Sequence, residues 1–144
     1  MKKFILTLAI VVSGLCSFAA EKDVNILVLK SFQKEFSGVK DVQWTSTGEI
    51  YKASFVFNNQ YVFAFFAPHG ELVGITRNVS SLELPVTLQA SLKKEHSGYW
   101  ISSLFEVSNS EGTRYFITIE NADTKVVLSS GGSSWKLYKK ASKI

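Results

Sequence analysis

Side chains that commonly bind metals or act as nucleophiles are scarce in this sequence, which contains one cysteine and two histidines. We expect Cys16 to leave with an export signal, so the mature chain would have no disulfide bond or thiolate metal site. His69 and His96 are far apart and cannot supply a metal site without further ligands. The acidic residues are dispersed, and no serine lies in a nucleophile-elbow pattern. We therefore expect no cofactor, no metal and no enzymatic activity.

The chain also lacks a strong charge of one sign. Its formal net charge is +4, and removing Lys2 and Lys3 with the export signal would leave about +2. This surplus is too small to indicate a nucleic-acid partner. The lysines near the C-terminus are expected to be a solvated tail, and a weak attraction to an anionic surface is the alternative. The composition, 46% hydrophobic and 13% aromatic, excludes a disordered chain.

The N-terminus has the order of regions found in a cleavable secretion signal. Two lysines are followed by an apolar run, Phe4–Val12, and then by the small residues Ser17 and Ala19. We predict cleavage after Ala19, which makes residues 1–19 a signal peptide and places the mature chain in the periplasm or outside the cell. A membrane anchor needs about 20 apolar residues, and this region is shorter. A leucine precedes Cys16, which is unfavourable for lipoprotein processing.

Two halves of the chain share a local sequence match. Four of the five residues in Lys34–Gly38 recur in Lys94–Gly98, at an offset of 60. Each segment follows apolar spacing typical of a helix, predicted over 24–36 and 85–96, and precedes alternating strand-like runs. We predict one domain, 20–144, made of two repeats at about 24–80 and 84–140.

The expected fold class is α+β, with two tandem units of one helix and several antiparallel strands. Short turns between successive strands require antiparallel pairing, so the two helices would pack on one face of a continuous sheet. The strands are predicted at 39–45, 50–57, 61–67, 72–78, 100–108, 113–121, 125–130 and 135–139.

Alternation separates the two faces of the first long strand. Tyr51, Ala53 and Phe55 share one face, and Lys52 and Ser54 share the other. The next strand is apolar on both faces, which indicates either a central position in the sheet or a surface that a partner covers.

Several of these motifs together resemble a known protein family. They are the segment Phe32–Gly38, Val42–Trp44, the alternation from Tyr51 to Phe55, Gly70–Val73, and Leu84-Pro85 at the second helix. In this order they resemble the PepSY-like periplasmic proteins of Bacteroides-type bacteria, which are grouped with the beta-lactamase-inhibitor-like fold. The resemblance implies that fold, and a role in restraining a partner such as a peptidase through an aromatic sheet face. The family usually has a proline where Ser37 stands and an acidic residue where His69 stands.

Two functions remain open from the sequence. The first is an exported, non-catalytic binding module that inhibits or regulates an envelope protein or peptide. Its candidate partner-binding residues are Lys52, Ser54, Phe66 and Trp100, which we expect on an exposed sheet face. The second is a periplasmic small-molecule sensor or envelope structural protein with a pocket between helices and sheet.

Overall fold

One antiparallel sheet contains most of the ordered elements in the computed structural model, which describes Ser17–Ala19 and residues 23–143. Its strands lie side by side in chain order from first to last. The strands are β1 (Ser17–Ala19), β2 (Gln43–Ser46), β3 (Tyr51–Phe57), β4 (Gln60–Phe66), β5 (Leu72–Asn78), β6 (Trp100–Asn109), β7 (Gly112–Glu120), β8 (Thr124–Ser130) and β9 (Lys136–Ser142). The helices are α1 (Ile26–Glu35) and α2 (Val86–Glu95), with a short 3-10 turn at Ser81–Glu83.

The α+β class predicted from the sequence is wrong, because the described chain is mostly β. Each helix has only ten residues, whereas the eight strands from β2 to β9 have between four and ten. The predicted first helix, 24–36, was too long. Val24 and Phe36 continue its apolar spacing and are buried, but they lie just outside α1. Two strands are longer than predicted, since β6 has ten residues and β9 continues to Ser142.

The first helix has local signals at both ends and a core-facing side between them. The Asn25 side chain accepts a hydrogen bond from the Leu27 amide at 2.8 Å, which caps the first turn. Phe32 packs at the centre of the first core, with ring centroids 5.3 Å from Trp44 and 5.1 Å from Phe55. The other buried members of this core are Val24, Val28, Phe36, Ala53, Val62, Ala64 and Phe66.

The second helix covers the same face of the sheet over the later strands. Leu88 is its only buried residue, and the Leu88 carbonyl accepts a hydrogen bond from the Trp135 indole at 3.2 Å. Its core also contains Val79, Leu84, Leu104, Ile117, Ile119, Val126 and Leu128. Both helices therefore lie on one side of the sheet, which we call the helix face.

The predicted signal peptide lies largely outside the described residues, and Cys16 lies outside them altogether. Only Ser17–Ala19 is described, as the edge strand β1 paired with β2. Within the described chain, none of the helices has the length and apolar character needed to cross a bilayer.

Two glycines with positive φ allow a matched test of how closely α1 packs on the sheet connection. Gly70 has φ +94°, and a Cβ there would lie 2.8 Å from the Leu27 carbonyl oxygen. Gly48 has a similar φ of +89° but open space around it. We expect Gly48→Ala to destabilise the fold by about 1–2 kcal/mol from backbone strain. Gly70→Ala should cost more, because the helix must also shift. Urea unfolding of both variants measures the difference, and equal losses would contradict this packing.

Candidate functional site

The sheet face away from both helices, called here the open face, carries a continuous row of residues across five strands. The register aligns Ser54, Phe63, Thr76, Val107 and Arg114 as directly opposed neighbours from β3 to β7. Because facing residues in adjacent antiparallel strands lie about 5 Å apart, these side chains form one surface strip. No described helix covers this strip.

Aromatic side chains form a third core on the open face. Phe65, Val107 and Phe116 are buried there, although both helices are on the opposite side. The Phe105 and Phe116 rings stack with centroids 5.3 Å apart, and Tyr138 contacts Phe116 edge-on at 5.4 Å. The sheet therefore buries this cluster with its own strands.

Irregularities in strand pairing explain how a sheet can bury residues on an open face. The register shifts at Phe65/Phe66, at Ile101/Ser103 and at Val127/Leu128. Bulges of this kind bend and twist the strand that carries the extra residue. A bent sheet brings residues on its concave side together, so we interpret the open face as the concave one.

Two of the four predicted partner-binding residues, Lys52 and Ser54, lie on the open face. Both are half-buried on β3, and Lys52 Nζ lies 5.3 Å from the centre of the Phe63 ring. This distance permits a cation–π interaction, which holds the ammonium group over the aromatic surface.

Phe66, the third predicted residue, is on the wrong face for this role. It pairs with Tyr51 across β3 and β4, so it points toward α1 and has no exposed surface. Its ring lies 6.2 Å from both Phe32 and Trp44. Phe66 is a core residue that a partner cannot reach.

Trp100, the fourth, lies on the open face three strands from Lys52 and half exposed. It is directly opposite Glu120 in β7, and Lys143 Nζ lies 4.7 Å above its indole ring. The same Lys143 ammonium group is 2.6 Å from the Glu120 carboxylate. A hydrogen bond from Lys143 is the main cause that lowers the pKa of Glu120 below its ordinary value, and a hydrogen bond from Ser102 is the second. The Lys143 side chain, just after β9, thereby contacts both Trp100 and Glu120.

The sequence did not single out the most exposed aromatic residue of this face. Tyr61 is 70% exposed and pairs with the half-exposed Val56 at the tip of the β3–β4 hairpin. Asn58 and Asn59 form the connection with φ of 49° and 63°, as a type I′ turn requires. The Asn58-Asn59 pair was the available signal in the sequence, because a two-residue turn there places Tyr61 opposite Val56.

A groove beside α2 is a second candidate site. It is a solvent-open groove of about 490 Å³ between the helix and the start of β6. Its lining includes Val86, Ala90, Lys93, His96, Tyr99 and Ile101. This volume falls within the range of small-molecule sites, and the lining is mostly apolar with a lysine and a histidine beside it.

Arg77 is the centre of a polar network on the helix face. It donates to both Glu106 carboxylate oxygens, at 3.1 and 3.3 Å, and to Gln60 at 2.9 Å and Glu83 at 3.3 Å. Hydrogen bonding to Glu106 raises the pKa of Arg77, and the Ser80 amide is the main cause of a lowered pKa at Glu83. Because Arg77 makes four hydrogen bonds to acceptors within the fold, we interpret this network as structural.

The described residues contain no group of three or more histidine, cysteine, aspartate or glutamate side chains placed to hold a metal ion. His69 Nε2 is 3.0 Å from Glu71, but both side chains are about 70% exposed on a turn. Neither residue lines the groove beside α2.

Solved structures with the same fold come from Bacteroides species. A protein from Bacteroides eggerthii, thought to be periplasmic, superposes with a TM-score of 0.71 at 17% identity, covering 83% of this chain and 88% of its own. A DUF2874 family protein from Bacteroides ovatus gives 0.71 at 20% identity, covering 81% and 86%. A BLIP-like protein from Bacteroides fragilis gives 0.68 at 15% identity, covering 81% and 84%.

No known family profile and no curated protein sequence matches this chain. The structural neighbours therefore establish the fold alone. It is the BLIP-like fold, which these Bacteroides proteins share.

The Glu120–Lys143 contact predicts a pH-dependent change beside Trp100. Glu120 has a lowered pKa in the folded chain, so its contribution to stability is present above the ordinary value of 4.5 and is lost as pH falls through the lowered one. Replacing Lys143 with methionine should move the carboxyl pKa of Glu120 back up. Carbon-detected NMR titration of the side-chain carboxyl measures this, with Lys139→Met as control. An unchanged Glu120 titration in Lys143→Met would contradict the contact.

Proposed function

We propose that this chain is an exported, non-catalytic binding module whose open face binds another envelope protein or peptide. The observation that carries the proposal is the aromatic surface of the open face, which no described helix covers. Tyr61, Val56 and Trp100 expose apolar area around the buried Phe65–Val107–Phe116 cluster. Large rigid aromatic side chains are the usual anchors of protein interfaces, since they bury much area while losing little conformational entropy.

The chemistry of this face favours binding over catalysis. Two of its charged side chains are already engaged: Lys52 lies over Phe63, and Glu120 is paired with Lys143 and, at 3.5 Å, with Lys125. General acid–base catalysis needs a titratable group within reach of a substrate and with a pKa near the working pH. The lowered pKa of Glu120 is opposite to what a carboxylic acid catalyst needs.

We further propose that the bound partner is restrained, as a peptidase would be by an inhibitor, and that the chain is PepSY-like. The similarity to a BLIP-like protein from Bacteroides fragilis supports an inhibitor-type role. The predicted signal peptide and the Bacteroides eggerthii neighbour support a periplasmic or secreted location. Lys52 and Ser54 would contact the partner beside Tyr61, and Trp100 would do so at the far side.

A capture experiment with matched variants tests the open face. The C-terminally tagged mature protein is immobilised, and proteins retained from envelope extract are quantified by mass spectrometry. We expect Tyr61→Ser with Trp100→Ala to reduce retention of the partner by at least about ten-fold, as loss of interface anchors does. Leu82→Ser removes an apolar side chain beside α2 that is more exposed than either of these, and this variant should retain the partner. Equal retention by all variants would contradict the proposal.

A second candidate is small-molecule binding in the groove beside α2, which its volume favours. A ligand with an apolar body and an anionic group would match the lining and Lys93. Anilinonaphthalene sulfonate has both properties and fluoresces when bound. We expect Ala90→Trp to fill the groove and abolish the signal, while Val56→Ser on the open face leaves it unchanged. Absence of fluorescence with the unmodified protein would exclude this candidate.

A further inference from the structure

The two edges of the sheet differ in how well they resist pairing with another strand. The edge strand β9 carries Lys136, Lys139 and Lys140, and six of its seven residues are exposed. Lysines on an edge oppose the addition of a further strand, because their charges would have to be desolvated. The strand β2, with the sequence Gln-Trp-Thr-Ser, has no charged residue. Only the β9 edge is therefore protected by its own sequence.

The β2 strand is instead covered by a short segment of the same chain. Strand β1 pairs with it antiparallel, so that Ser17, Phe18 and Ala19 lie opposite Ser46, Thr45 and Trp44. The register shows that this edge accepts an extended segment with an ordinary antiparallel ladder. The three covering residues are the last three before the predicted signal-peptidase cut after Ala19.

We propose that removal of the signal peptide opens the β2 edge, and that an extended segment of a partner polypeptide then binds there as an added strand. Recognition of this kind uses backbone hydrogen bonds for affinity and alternate side chains for specificity. The three covering residues carry no charge, so an uncharged extended segment matches this uncharged edge. The edge is separate from the open face, so this inference does not rest on the function proposed above.

The length of β2 favours a peptide over a second copy of this chain. With only four residues, two β2 strands paired edge to edge would form a very short ladder. A stable dimer buries about 1,200–2,000 Å² in total, far more than such a ladder provides. An extended segment of a partner protein can bind transiently while burying much less area than a stable dimer.

The test uses the protein as it is exported. The tagged precursor is produced in a secreting host with isotope labelling, and the mature chain is purified from the envelope and its N-terminus determined by mass spectrometry. A neutral peptide copying residues 17–20, acetylated and amidated, is then titrated while amide NMR shifts are followed. The control is the same peptide N-methylated at its second and third residues, which removes backbone donors without changing the side chains.

We expect saturable shifts concentrated in Gln43–Ser46, no shift in β9, and roughly ten-fold weaker binding of the N-methylated peptide, as loss of one or two backbone hydrogen bonds would give. The Tyr61→Ser variant should bind the peptide with unchanged affinity. Failure of the β2-edge proposal is therefore distinguishable from failure of the open-face proposal. The inference is overturned if Gln43–Ser46 do not respond, or if both peptides bind equally. It is also overturned if the mature chain still contains residues 17–19, or is a dimer joined through β2.

Discussion

Phe65 and Phe66 are neighbours in β4, and both are completely buried on opposite faces of the sheet. The rest of the structure depends on burying both side chains at once. A sheet with one apolar face needs one covering layer, whereas a strand that is apolar on both faces needs two. Helix α1 covers Phe66, but the described chain has no helix for Phe65. The strands themselves provide that cover, and we attribute it to the bulges in strand pairing.

This division gives the two faces different properties. The helix face has two cores packed beneath short helices, and the polar network of Arg77 lies on the same side. The open face has a small buried cluster surrounded by partly exposed aromatic side chains. Its exposed apolar side chains include Val56, Tyr61 and Trp100.

Much of the local structure could be predicted from the residues alone. The apolar stripe led by Val28 and Phe32 indicated α1, and alternation in β3 separated Ala53 and Phe55 from Lys52 and Ser54. The face of Phe66 could also have been derived. A two-residue turn at Asn58–Asn59 puts Phe57 opposite Gln60, and counting back places Phe66 opposite Tyr51 on the helix face.

The fold class and the details of the open face depend on distant parts of the chain. The α+β prediction weighted the two helical patterns too heavily, because residues flanking α1 continue its apolar spacing without being helical. Contacts such as Lys143 with Trp100 join positions that are 43 residues apart. The bulges near Phe65, Ile101 and Val127 have no marker in the sequence, so the burial of an open face could not be anticipated.

Site-specific photo-cross-linking in intact cells tests the role of the open face most directly. A photoreactive benzophenone side chain is placed at Tyr61 on the open face, or at Lys34 on the outer surface of α1, in the full exported chain. The account predicts a defined cross-linked product on illumination from position 61 and none from position 34. A product from position 34 alone, or equal products from both, would show that the partner does not bind the open face.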